Sequence, residues 1–193
     1  MSTNVRMRDP RLIAAVWLIA RCWVGWQFLH AGLAKLTGDE RARWVGGQAG
    51  SEVRGFLGYA LQLAPGGKLA GPHPEVLGWY AALIRHGLLP HAAIFGYLVA
   101  FGEVLVGAAL ILGLLTRFAA AMGLLMNFAY LCAGVSGVGP LMVLIELPLL
   151  LVGATAGDYG LDRWLRPALR GWLDQWSGAP ARPVAAQPSL RTG

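Results

Sequence analysis

GEVLVGAALILGLLTRFAAAMGLLMN, residues 102–127, contains two long apolar runs that meet at Thr116 and Arg117. The first run carries Glu103 among aliphatic residues, and the second carries Asn127. A charged group at the centre of a bilayer costs about 2.5–3.5 kcal/mol by insertion scales, so such groups usually face protein or a cavity. Because the connection is so short, the two helices must be antiparallel neighbours. The stretch therefore predicts two antiparallel membrane helices whose polar side chains point away from lipid.

Two further apolar runs show the same pattern, with Arg21 in one and Glu146 in the other. Runs of about 16–24 apolar residues are long enough to cross a bilayer core. A mean hydropathy of +0.53 with 13% charged residues excludes a soluble globular domain and a disordered chain. We predict an all-α integral membrane protein, an up-down bundle of four transmembrane helices in a single domain over residues 1–176, with spans at about residues 12–34, 92–115, 118–133 and 138–156.

The excess of basic residues indicates how the chain is oriented in the membrane. The net charge is +6, but no basic run interleaved with aromatic residues occurs outside the membrane flanks, which argues against nucleic acid as a partner. The positive-inside rule places basic flanks in the cytoplasm. We therefore predict a multi-pass protein of the plasma membrane with both termini in the cytoplasm, from the arginines before the first span, between the second and third, and after the last: Arg6, Arg8, Arg11, Arg117, Arg163, Arg166 and Arg170.

Residues 35–91 form a long outer loop with two stretches of helical periodicity, at about 53–64 and 76–88. Pro74 is placed as a first-turn residue of the second stretch, and Pro90 is expected to stop it before the second span. We expect two amphipathic helices at the membrane interface that together cover the outer mouth of the bundle.

The chain after the fourth span changes in character. Apolar residues at helical spacing lie opposite arginines over residues 161–176, which predicts a basic amphipathic surface helix. The composition of residues 177–193, rich in proline, alanine and polar residues, predicts a disordered tail.

The four buried polar residues are expected to meet inside the bundle. Small residues lie on the same helical faces, and such residues let membrane helices approach closely. We predict an ion pair between Arg21 and Glu103, which leaves Glu146 as an unmatched acid able to exchange protons. The alternative is that the ion pair and Asn127 only fasten the bundle. His30 is a candidate quinone contact or proton relay, with a plain interfacial histidine as the alternative.

Three segments resemble the DoxX/DoxD family of small four-helix membrane proteins. They are GWQFLHAGLAKLTG (residues 25–38), the long run from His73 to Gly134, and GDYGLDRWL (residues 157–165). Residues matching the family pattern include Arg21, Gly25, Gly32, Lys35, Gly102, Glu103, Gly107, Gly113, Leu114, Thr116, Asn127 and the run Gly160-Leu161-Asp162. Glu146 is not part of that pattern, so its role rests on the physical argument alone.

The resemblance implies a link to quinone-dependent redox systems, because DoxD is a subunit of thiosulfate:quinone oxidoreductase. On this basis a quinone would bind as substrate between the helices. Arg21 would stabilise the developing oxyanion, Glu103 would balance Arg21 and pass protons, and Lys35 would attract an anionic electron donor. The remaining predicted contacts of the quinone are Trp26, Phe28, His30, Tyr97, Asn127 and Glu146.

No metal, haem or flavin motif is found in the sequence, so electrons must come from a donor that binds separately. Expected partners are the lipid bilayer, a second membrane subunit or soluble redox protein, and further copies of the chain. Two other functions stay open: a non-enzymatic membrane scaffold for redox or thiol-stress enzymes, and a carrier of protons or small solutes.

Overall fold

The computed structural model describes residues 10–135, 137–156, 159–165 and 167, and this part of the chain is helical without β-strands. The four longest helices occupy the positions of the predicted spans, while three shorter helices lie between the first two of them. In chain order the helices are α1 (Pro10–Thr37), α2 (Arg41–Val45), α3 (Ser51–Gln62), α4 (Gly78–Leu83), α5 (Ala92–Leu112), α6 (Thr116–Cys132) and α7 (Gly139–Ala156).

The long helices form a four-helix bundle in which α1 packs against α5, α5 against α6, α6 against α7 and α7 against α1. The closest approach is between α1 and α5, at Gly25 and Gly107. A Cβ atom on Gly25 would lie 2.9 Å from the carbonyl oxygen of Gly107, and one on Gly107 would lie 2.6 Å from the carbonyl oxygen of Gly25. These reciprocal contacts fix the register of the two helices, because only glycine lets the backbones come so near.

Polar and apolar side chains are distributed in the reverse of the pattern seen in soluble proteins. Arg21, Glu103, Asn127 and Glu146 are all buried, as the sequence predicted, whereas large aliphatic and aromatic side chains cover the outside of the bundle. Exterior residues with more than 60% of their surface exposed include Ile19, Leu105, Phe118, Leu144 and Leu151. Such a surface is expected of a protein that lipid surrounds.

Two helices of the described chain are long and apolar enough to cross a membrane, at Leu12–Thr37 and Gly78–Leu112. Gly139–Val152 is a shorter apolar helix. Together with the apolar exterior, these helices indicate a membrane protein. Whether all four long helices cross the bilayer stays a prediction.

The outer segment differs from expectation at its second helix. The helix α3 forms where the first periodic stretch lies, but α2 was not predicted. The second helix begins at Gly78, beyond Pro74, and Pro90 does not stop it: a π-helical turn at Ile84–Leu88 and a 3₁₀ turn at Leu89–His91 connect α4 to α5. The altered hydrogen-bond spacing of these turns accommodates proline, which has no N–H to donate.

The packed outer segment forms its own apolar core. Val53, Leu57 and Ala60 of α3 pack with Tyr80 and Ile84 of the next helical segment. The apolar face of α3 is therefore used against protein in this structure, and contact of α2, α3 or α4 with the membrane interface stays a prediction.

The chain after α7 returns to the connection between α5 and α6. The Leu161 N–H donates to the Leu112 carbonyl at 3.1 Å, and the Asp162 N–H donates to the Gly113 carbonyl at 2.8 Å. The Asp162 carboxylate accepts the N–H groups of Leu115 and Thr116 at 2.6 and 2.9 Å, which caps the first turn of α6. Most of the predicted surface helix at 161–176, and the predicted tail at 177–193, lie outside the described residues.

Candidate functional site

A cavity of about 570 Å³ lies between the long helices and the outer segment. All seven helices contribute to its wall, as does the turn between α6 and α7. Most of the wall is aliphatic or aromatic, and its polar residues are Gln27, Lys35, Glu52, Tyr80, Glu103, Asn127 and Tyr130. The apolar lining includes Phe28, Phe56, Leu57, Phe95, Val99 and Met142.

Glu103 is the centre of the polar cluster in this wall. Its Oε2 atom lies 2.5 Å from the Lys35 Nζ atom, and its Oε1 atom accepts the Tyr130 hydroxyl at 2.9 Å. The Glu103 side chain is 3% exposed and the Lys35 side chain 17% exposed, so the ion pair is nearly dry. Lys35 Nζ also lies 5.0 Å from the centroid of the Trp44 ring, within the range of a cation–π contact.

The predicted ion pair between Arg21 and Glu103 is wrong, because Lys35 takes the place of Arg21. Gly32 on α1 packs directly against Glu103, where an added Cβ would lie 2.9 Å from the Glu103 Cβ atom. Lys35 lies one helical turn from this contact, whereas Arg21 lies three turns away, or about 16 Å along the axis at 1.5 Å per residue. The register of α1 against α5 therefore separates the two residues that sequence reasoning had paired.

Arg21 is buried at the opposite end of the bundle, with 1% of its surface exposed. Its guanidinium group lies against Gly113 and Gly160, and the Asp162 carboxylate attracts it electrostatically. Gly113 has a φ of +66°, and a Cβ there would collide with the guanidinium group. Arg21 is therefore a structural partner of the segment after α7 in this arrangement and does not line the cavity.

Asn127 and Glu146 form a second buried polar pair, between α6 and α7. The Asn127 Nδ2 atom donates to both Glu146 carboxylate oxygens, each at 3.0 Å. The absence of a side chain at Gly123 makes room for the carboxylate, since a Cβ there would lie 2.6 Å from Glu146 Oε1. Asn127 lines the cavity directly, and Glu146 lies behind it without lining the wall.

The other predicted contacts divide between the cavity and the outside of the bundle. Phe28 is buried and lines the cavity. Trp26 and His30 lie together on the exposed face of α1, with ring centroids 6.0 Å apart. Tyr97 is 43% exposed and donates its hydroxyl to the Val45 carbonyl at 2.8 Å. The structure does not bring Trp26, His30 or Tyr97 to the cavity.

The sequence analysis did not single out Tyr130. Its spacing from Asn127 held the signal, because residues three apart share a helix face. A tyrosine that follows a buried polar residue by three positions in an apolar helix is expected to face the same interior. Trp44, which lies over Lys35, belongs to a helix that was not predicted.

A protein-family model matches more than half of this chain. No curated protein and no solved structure matches the chain. The DoxX family model matches residues 16–135, which is more than half of the chain and includes every residue of the Lys35, Glu103 and Tyr130 cluster. This match agrees with the apolar helices in indicating a membrane protein. The resemblance read from separated sequence motifs is thereby confirmed, and the chain belongs to the DoxX family.

Proposed function

We propose that this protein is a quinone-interacting membrane redox protein, with the quinone ring bound in the 570 Å³ cavity. The observation that carries the proposal is the buried cluster of Lys35, Glu103 and Tyr130 in the wall of a largely apolar cavity. Small-molecule sites typically have volumes of about 300–1,000 Å³, with apolar walls and a few convergent polar groups. A quinone ring has this chemistry, being flat and apolar with oxygen atoms only at its edge.

The cluster supplies the groups that quinone reduction requires. The Lys35 ammonium group has three N–H donors, so one can reach a quinone oxygen while another pairs with Glu103. Its positive charge, in a largely buried site, also stabilises the negative charge that develops on that oxygen. Tyr130 donates its one O–H to Glu103, and Glu103 holds Lys35 in position and is a candidate to relay a proton.

The overall reaction balances with a small anionic donor such as thiosulfate. Two thiosulfate ions joined through a new sulfur–sulfur bond release two electrons, which with two protons convert the quinone to the quinol. Water would supply both protons, with the Glu103 carboxylate as a candidate relay. The donor site is not assigned, and a partner subunit that binds the donor is compatible with the same quinone site.

The proposed topology has all four long helices crossing the plasma membrane, with both termini in the cytoplasm. The end of the bundle near Arg21 carries Arg117 and Arg163, close to the connection between α5 and α6. The positive-inside rule then places this end in the cytoplasm and the outer segment, with the cavity, on the opposite side. Single cysteines introduced at Gly66 and Arg163, in a chain whose Cys22 and Cys132 are replaced by alanine, would test this, since a membrane-impermeant thiol reagent should label only the first in intact cells.

Equilibrium binding of a decyl-substituted benzoquinone to the purified protein in lipid nanodiscs tests the site. We expect Lys35→Met and Glu103→Gln each to weaken binding about tenfold or more, since each removes or misplaces a charge-assisted donor. The matched control is Glu40→Gln, which makes the same chemical change at an exposed carboxylate 3.2 Å from Arg43. Equal affinity in wild type and Glu103→Gln would overturn the site, and absence of binding in wild type would favour the scaffold function.

A further inference from the structure

The orientation of the Asn127 amide is set by Glu146. Both carboxylate oxygens of Glu146 accept from the amide nitrogen, so the carboxylate acts only as an acceptor in this arrangement. While Glu146 is ionised, rotating the amide by half a turn would place Oδ1 against those two oxygens, bringing three acceptors together with no donor between them. Glu146 is completely buried, so water does not relieve such a contact. The nitrogen of Asn127 therefore stays on the Glu146 side as long as the carboxylate keeps its charge.

The oxygen of Asn127 is the atom that remains for the cavity. Asn127 lines the cavity and Glu146 does not. Gly139 is also in the lining, and a Cβ atom on it would lie 3.8 Å from Asn127 Oδ1. Among the described residues, no donor reaches this oxygen. The cavity wall thus presents a carbonyl acceptor, oriented by an acid that has no contact with the cavity itself.

The polar cluster in the same wall has the opposite character. Tyr130 follows Asn127 by three residues on α6, so the two share a helix face. Tyr130 donates its one O–H to Glu103, and Lys35 pairs with the same carboxylate and keeps further N–H donors. The cavity wall therefore offers a donor at Lys35 and an acceptor at Asn127.

We propose that the cavity selects a ring with a hydroxyl group at the Asn127 position and an acceptor oxygen at the Lys35 position. A quinol or a monophenol satisfies both, whereas a quinone offers two acceptors and leaves Asn127 Oδ1 facing another oxygen. Asn127 is the group that contacts the ring, and Glu146 is a positioning residue. The inference rests on the quinone site proposed above and assigns its preferred ligand to the reduced class.

Two probes that do not undergo quinone redox chemistry separate the hydroxyl from the ring. One is 4-methoxyphenol carrying a decyl chain, and the other is the methyl ether of that compound. They differ by one methyl group, which replaces the only hydroxyl proton. A buried acceptor left without a donor is costly, so wild type should bind the phenol about tenfold more tightly than the ether. The affinities are measured by calorimetry on the full chain in nanodiscs.

Two variants test which residues cause the preference for the phenol. Asn127→Leu should reduce the ratio of the two affinities to near one, because it removes the acceptor that distinguishes the phenol from the ether. Glu146→Gln should reduce the ratio to about threefold or less, because a glutamine can accept from or donate to the amide and so releases its orientation. A merely structural role of Glu146 would lower both affinities together and leave the ratio unchanged. Glu40→Gln is the control for the acid-to-amide change.

Each outcome decides the inference. The proposed arrangement of donor and acceptor would be wrong if wild type binds both probes equally, or if Asn127→Leu keeps the preference for the phenol. Either result would leave the proposed quinone site in place. Absence of binding by both probes would overturn the site as well. If Asn127→Leu does not fold because Glu146 has lost its donor, the double variant Asn127→Leu/Glu146→Leu replaces the pair with apolar side chains. It should bind both probes equally.

Discussion

Removing Lys35 alone should destabilise this protein more than removing Lys35 and Glu103 together. At 2.5 Å and an effective dielectric constant of about 20, the attraction between the two charges is about 7 kcal/mol, which offsets a desolvation cost of several kcal/mol for each ion. The pair as a whole therefore contributes little net stability. A charged group left alone inside the bundle loses the attraction of its partner but keeps its desolvation cost.

The two single variants are expected to differ because the two side chains differ in exposure. Lys35→Met leaves Glu103 only 3% exposed with Tyr130 as its remaining donor, and should lower the free energy of unfolding by about 3 kcal/mol. Glu103→Gln leaves Lys35 17% exposed and near the Trp44 ring, so about 1–2 kcal/mol is expected. The double variant should also lose about 1–2 kcal/mol, which gives a coupling energy of about 2–3 kcal/mol.

The assay is reversible denaturant unfolding in one detergent, followed by tryptophan fluorescence, for wild type, both single variants and the double variant. Arg43 and Glu52 provide a matched control pair, since their N–O distance is also 2.5 Å but their side chains are 49% and 25% exposed. Their coupling should stay below about 1 kcal/mol, as for other exposed ion pairs. A coupling for Lys35 and Glu103 no larger than that of the control pair would refute the reasoning.

Three further changes have expected outcomes. Asp162→Ala removes both hydrogen bonds to the first turn of α6 and should lower the free energy of unfolding by about 2 kcal/mol or more, measured in the same detergent titration. Gly107→Ala places a methyl group 2.6 Å from a carbonyl oxygen of α1 and should cost about 1–3 kcal/mol, whereas Gly58→Ala, where the added atom meets nothing within 4 Å, should be neutral or stabilising. Tyr130→Phe removes the 2.9 Å hydrogen bond to Glu103 and should weaken decyl-benzoquinone binding about tenfold in nanodiscs; unchanged affinity would exclude Tyr130 from the site.

Much of the fold follows from simple properties of the chain. Long apolar runs separated by short connections place the four long helices to within a few residues, and the cost of burying polar groups in lipid turns Arg21, Glu103, Asn127 and Glu146 inward. These predictions succeed because each depends on one helix at a time. The hydrophobic pattern and the helical period are local, and the requirement to bury polar groups applies to each apolar helix separately.

The partner of Glu103 depends on two helices at once, and for that reason the sequence alone did not find it. Arg21 and Lys35 lie within about 40° of each other on α1 at 100° per residue, so angular position does not distinguish them. The two residues differ in their depth along the bundle axis, and that depth is set by the contact of Gly25 with Gly107. The observed contacts of Gly32 with Val104 and Glu103 show this depth directly and identify Lys35 as the neighbouring cation.

The corrected pairing changes which acid matters in the cavity. Each buried cation of the bundle now has an acid of its own: Glu103 for Lys35 in the cavity wall, and Asp162 for Arg21 at the far end. Within the described chain Glu146 is matched by an amide instead of a cation, although it is completely buried. A fully buried acid without a cation is expensive to keep for stability alone, since an apolar side chain would pack as well. Stability does not account for Glu146, but Glu146 also fixes the direction of the Asn127 amide group. That direction determines whether the cavity offers an acceptor or a donor to its ligand.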